Sequence, residues 1–142
     1  RLEMTHMNRS FAVNVIGPAL LMRHLSPRLS HGDAIYAKLS ARVGSIADNK
    51  KGGWYSYRAS KAAMNMVLQS AALELQRKNP RLRVVALQPG TVRSKLSEPF
   101  QPGVPTLLEP AASVAGMMNA MLKLEPTSGA HFIDYAGQEI PW

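Results

Sequence analysis

Apolar positions along the chain alternate between two periods. From Met7 to Leu29 they recur at helical spacing, with Phe11 and Val15 followed by the pair Leu21 and Leu25, and a helix is expected there. Pro18 falls inside it and predicts a kink, unless the backbone near residue 14 is already distorted. His31-Gly32-Asp33 reads as a turn. Ala34 to Leu39 then switches to period two, with Ile35, Ala37 and Leu39 set against Tyr36 and Lys38, the signature of a strand. A lysine in a buried central strand is costly, so Lys38 points to an accessible face or strand end. Ser40 to Trp54 is a loop punctuated by Gly44, Gly52 and Gly53. Tyr55 to Lys78 is the strongest helix. Ala59, Ala62, Ala63, Met66, Ser70 and Leu73 offer a small-residue face for close packing, and Asn79-Pro80 stops it.

The second half repeats the alternation. Leu82 to Leu87 is a strand ending at Gln88-Pro89-Gly90. Ser94 to Leu108, with Pro99, Pro102, Gly103 and Pro105, is expected to be a mobile connection. Pro110 opens a helix to about Leu124, and a last strand follows Gly129. Strands alternating with helices across short turns predict an α/β fold, a parallel sheet flanked by helices, as one domain over residues 1–142.

Composition narrows the chemistry. No cysteine is present, so neither disulfides nor a thiolate nucleophile is available, and the four histidines lack metal-ligand spacing. No apolar run approaches the ~18 to 20 residues of a membrane span, and no signal peptide is visible. Net charge is +8, but the basic residues are scattered and no base-stacking platform accompanies them, so nucleic-acid binding is not expected.

The chemistry concentrates at Tyr57-Arg58-Ala59-Ser60-Lys61. A tyrosine and a lysine four apart share one face of a helix. A free phenol has a pKa of about 10. A neighbouring ammonium lowers it, so that Tyr57 can exchange a proton with an alcohol or carbonyl while Lys61 tunes it.

The surroundings of this pair resemble the short-chain dehydrogenase/reductase family. Tyr55 to Asn65 is similar to its active-site helix, Asn14-Val15-Ile16-Gly17 to its Asn-Val-x-Gly segment, and Leu39 to Ser45 to the serine-bearing end of a central strand. Pro89-Gly90-Thr91-Val92-Arg93-Ser94 is similar to the turn that meets the nicotinamide, and Gly129 to Trp142 to the last strand and tail. The loop with Gly52-Gly53-Trp54 is similar to that of C-factor-like and carbonyl-reductase-like members. The resemblance implies the C-terminal half of a doubly wound Rossmann-type sheet, here its last three strands, with an unpaired edge on the first.

It further implies a cytoplasmic oxidoreductase that uses NAD or NADP on a small carbonyl or alcohol substrate. Tyr57 would be the proton donor or acceptor. Lys61 would lower its pKa and hold the nicotinamide ribose, and Asn14 would order a relay water at a distorted turn. Pro89, Gly90, Val92 and Ser94 would meet the nicotinamide end of the cofactor. The catalytic serine usually stands about thirteen residues before the tyrosine, where this chain has Gly44. Ser40 is favoured, at the C-terminal end of its strand. If the family's double serine aligns on Ser40-Ala41, the role passes to Ser45. Trp54 and Tyr55 are candidates to line a substrate pocket. The helices Met7–Leu29 and Tyr55–Lys78 would build a homo-oligomer.

The glycine-rich turn that seats the dinucleotide pyrophosphate in that family is absent. The chain therefore reads as the C-terminal part of a longer protein or as one with its front removed. Two functions stand side by side: an enzyme in the complete protein, or a catalytically incompetent half-domain acting as an interaction or structural module.

Overall fold

Helix α1 (Met4–Phe11) does not run straight into α2 (Gly17–Leu25). A π-helical turn, Ala12–Ile16, lies between them, so the distortion at residue 14 replaces a proline kink. Pro18 then sits at the start of α2, where its missing N–H costs least. The computed structural model of the protein describes residues 2–142. Strand β1 (Ile35–Leu39), helix α3 (Tyr55–Leu75), strand β2 (Arg83–Gln88), a short pair β3 (Thr91–Val92) and β4 (Leu107–Leu108), helix α4 (Pro110–Leu122) and strand β5 (Ala130–Asp134) follow in order.

The main sheet is parallel, in the order β1-β2-β5, with Ile35 opposite Arg83 and Val84 opposite Ala130. Between two partners, β2 is buried along nearly its whole length, as a central parallel strand covered on both faces requires. On one face α2 and α3 pack through Met22, Leu25, Met64, Leu68 and Ala72 onto Tyr36, Val84, Ala86 and Phe132. On the other, Met117 and Ala120 of α4 cover Val85, Leu87 and Ile133. β1 pairs on one side only, the expected open edge.

Three expectations change. In β1 the buried residue is Tyr36, while Leu39 is exposed. Two helices, α2 and α3, cover the face that Tyr36 points to, whereas only α4 lies over the other. Lys38 is half-buried, with its ammonium 5.6 Å from the centre of the Tyr36 ring.

In α3 the sheet-facing row is Ser56, Ser60, Met64, Leu68, Ala71 and Ala72. The face of Ala59, Ala62, Ala63, Met66, Ser70 and Leu73 points outward and is half-buried to exposed. The connection after Ser94 is not structureless. It contains a 3-10 turn, Glu98–Phe100, and is clamped at both ends by the parallel β3–β4 pair.

Candidate functional site

The C-terminal ends of β1 and β2 and the first turns of α3 meet at one end of the sheet, where ligand sites of such folds open. Tyr57 stands on the first turn of α3 and is 40% exposed, while Lys61, one turn on, is 9% exposed. The Lys61 ammonium lies 5.8 Å from the centre of the Tyr57 ring and donates to the Leu39 carbonyl at 2.9 Å. The end of β1 thereby fixes the lysine beside the phenol.

The expected lowering of the phenol pKa is not what this arrangement gives. Partial burial raises Tyr57 above its ordinary value, and burial lowers Lys61. The lysine faces the ring and a carbonyl and makes no hydrogen bond to the tyrosine hydroxyl. At neutral pH Tyr57 therefore stays a phenol, while burial weakens the hold of Lys61 on its proton.

Asn14 reaches the same helix from the π turn. Its Nδ2 donates to Ser60 Oγ at 3.0 Å, and Ser60 Oγ donates to the Tyr57 carbonyl at 2.9 Å. Pro18 has no N–H to offer the Asn14 carbonyl four residues before it, so that oxygen lacks its α-helical donor.

Both serines are engaged inside the fold. Ser40 Oγ donates to Asn65 Oδ1 at 2.6 Å, with both residues buried. Ser45 Oγ accepts from the Asp48 amide at 3.0 Å. The position thirteen before Tyr57 has no room for any side chain, because a Cβ on Gly44 would lie 2.8 Å from Lys61 Cβ and 3.0 Å from Lys61 C. Glycine at 44 lets the 3-10 turn Arg42–Gly44 lie flat against α3.

The turn after β2 is equally constrained. Gly90 has φ +79, and a Cβ there would meet Leu108 Cδ1 at 2.8 Å and the Tyr135 ring at 3.0 Å. The Pro89 carbonyl accepts from Ser113 Oγ of α4 at 2.7 Å. Val92 is half-buried in the β3–β4 pair, and Ser94 is exposed, its hydroxyl and amide both engaged with Ser97. The structure thus brings Tyr57, Lys61, Asn14 and Ser60 into one group around α3. Pro89, Gly90, Val92 and Ser94 follow one another in the turn beyond β2.

Ser60, Asn65 and the Leu39 carbonyl were not singled out in the sequence. A signal for the first two existed. Ser56, Ser60, Lys61 and Asn65 form a polar row at helical spacing on the buried side of α3, and buried polar groups require partners.

Comparison with known proteins gives this geometry its family. The model described as short chain dehydrogenase matches residues 1–104. The chain belongs to the short-chain dehydrogenase family.

Among relatives of this short-chain dehydrogenase chain, C-signal of Myxococcus xanthus is 35% identical over 142 residues, 99% of this chain and 81% of the relative. A 1-hydroxy-2-glutathionyl-2-methyl-3-butene dehydrogenase of Rhodococcus sp. (strain AD45) is 32% identical over 99% of this chain, but this covers 61% of that enzyme. Among solved structures, NADPH-bound carbonyl reductase from chicken fatty liver superposes with TM-score 0.84 at 25% identity, covering 99% of this chain and 59% of that one. The chain thus spans well under two thirds of the two longer proteins.

The donor set suits the nicotinamide end of such a cofactor. Lys61 spends one N–H on Leu39, and an ammonium has three to donate. The Pro89–Val92 turn brings backbone polar groups to the same end of the sheet. Among the described residues there is no cluster fit to hold a metal ion and no helix long and apolar enough to cross a membrane.

Proposed function

We propose that the chain forms the proton-transfer half of an NAD(P)-dependent oxidoreductase that reduces a carbonyl or oxidises an alcohol. The placement of Tyr57 over the buried, pinned Lys61 supports this most directly. Lys61 and Tyr57 would hold the nicotinamide ribose, and Pro89, Gly90, Val92 and Ser94 the carboxamide end. When bound, NAD or NADP supplies or accepts the hydride. Tyr57, protonated at neutral pH, gives its hydroxyl proton to the developing alkoxide in reduction and takes one back in oxidation. Lys61 keeps a positive charge beside the phenol, favouring the negative charge left on it. Asn14, locked to α3 through Ser60, would order a relay water at the π turn. We assign the serine role to Ser40, which directly follows the Leu39 carbonyl that holds Lys61. To polarise a substrate oxygen, its O–H must leave Asn65.

The deciding experiment is Tyr57→Phe in the full gene product, assayed with aldehydes, ketones and quinones. The phenol-to-phenyl change deletes the proton path and keeps the ring. Activity is expected to fall by about 10²- to 10⁴-fold with the melting temperature unchanged, and a loss under threefold would refute the role.

A second reading is a half-domain that serves as an interaction or structural module. Calorimetric titration of the 142-residue chain with NADPH separates the two. Without the pyrophosphate seat, binding weaker than micromolar is expected. A micromolar constant at one site per chain would remove the second reading.

A further inference from the structure

Trp54 is the one non-glycine residue with positive φ among those described, at φ 48 and ψ 40. It follows Gly52 and Gly53, at φ +64 and +70, so three successive residues are left-handed. Glycine takes this conformation freely, whereas for a bulky aromatic it is an outlier. Strain of this kind gathers where a side chain has a task. Burial does not explain it, because Trp54 is 55% exposed.

Two contacts hold the ring. The Arg58 guanidinium lies 6.0 Å from its centre and also donates to the Gly52 carbonyl at 3.1 Å and the Val43 carbonyl at 3.2 Å. Phe100, on the 3-10 turn beyond β3, meets the indole edge-on at 5.4 Å and is itself 53% exposed. The two rings join the loop that enters α3, three residues before Tyr57, to the segment that follows the Pro89–Ser94 turn. A half-exposed edge-to-face pair leaves ring surface free for a third aromatic ring.

We infer that Trp54 and Phe100 form the specificity wall of the site, and that the substrate is a carbonyl compound bearing an aromatic ring. This rests on the oxidoreductase reading for the word substrate, while the wall itself can be tested by binding alone.

The chain has two tryptophans, so its indole N–H groups give two NMR signals, and Trp142, packed on Phe132, is a built-in control. Titration with acetophenone is expected to move the Trp54 signal saturably and leave Trp142 in place. 2-Hexanone should need at least about tenfold more ligand, as should acetophenone with the Phe100→Ala variant. Trp142→Phe assigns the signals. Equal response to both ketones, no response, or indifference to Phe100→Ala overturns the wall.

Trp54→Gly provides a check independent of ligand. It keeps a backbone that favours glycine, so the melting temperature should hold or rise while the acetophenone preference disappears. A marked fall in melting temperature would make the ring structural and overturn the inference. Aromatic preference without Tyr57-dependent turnover keeps the wall and sinks the oxidoreductase reading. Tyr57-dependent turnover without that preference does the reverse.

Discussion

Asn14 Nδ2 and Ser60 Oγ are 3.0 Å apart, joining the π turn after α1 to the α3 turn that bears Tyr57. Ser60 is fully buried, and it passes the link on to the Tyr57 carbonyl. A helix irregularity and the turn that carries the proposed proton donor, distant in sequence, are thereby held in one register.

Ser60→Ala should cut that link while leaving every group proposed to touch substrate in place. Loss of this part-buried hydrogen bond should cost about 0.5–1.5 kcal/mol of stability. Activity should fall with Asn14→Ala and Ser60→Ala to similar extents, and the double variant should be little worse than either single. Additive losses in that cycle would show that the two residues act separately.

The pH dependence follows from Tyr57 being raised by burial. Reduction needs the protonated phenol, so its rate should stay level through neutral pH and decline only above the ordinary phenol value of about 10. Oxidation needs the phenolate and should climb toward that same region. Initial rates in both directions from pH 6 to 10.5 test this. A reduction rate already falling between pH 7 and 8 would mean that the phenol titrates low.

Ser40→Ala should lower stability as well as activity. The hydroxyl and Asn65 Oδ1 are both buried, so its removal leaves an unpaired acceptor, at a cost of about 1–3 kcal/mol in a urea titration. An unchanged midpoint with lost activity would assign the hydroxyl to substrate alone.

Gly44→Ala should push the Arg42–Gly44 turn off α3, since its Cβ would overlap Lys61 Cβ. Overpacking of this kind typically costs about 1–3 kcal/mol, and the shift of Lys61 should reduce activity beyond the loss of stability. Full activity at a temperature well below unfolding would show that Lys61 tolerates displacement.

Val13 and Ile16 on the π turn and Leu20 on α2, with Met66 and Leu73 on α3, are exposed. A homo-oligomer built on these helices should sediment as a dimer or tetramer at tens of micromolar, and Met66→Glu should shift it toward monomer. Sedimentation as a monomer alone would remove that expectation.

The sequence by itself determined the elements and the candidate chemistry. The period of apolar positions marks the strands and helices, proline and glycine mark the turns, and Tyr57 and Lys61 share a helix face through spacing alone. Those are local quantities, set by a few neighbouring residues. Which face is buried was not local. Tyr36 turns inward because two helices cover that side of the sheet, and the alanine face of α3 turns outward because the polar row through Ser60 and Asn65 finds partners inside. The β3–β4 pair depends on residues that approach only when α4 packs on the sheet. The direction in which Tyr57 titrates was likewise decided in three dimensions. Spacing puts an ammonium near the phenol, but the Leu39 carbonyl holds it over the ring, so burial outweighs charge. The fold also filled the serine's usual position with the backbone of α3, leaving room there for Gly44 alone.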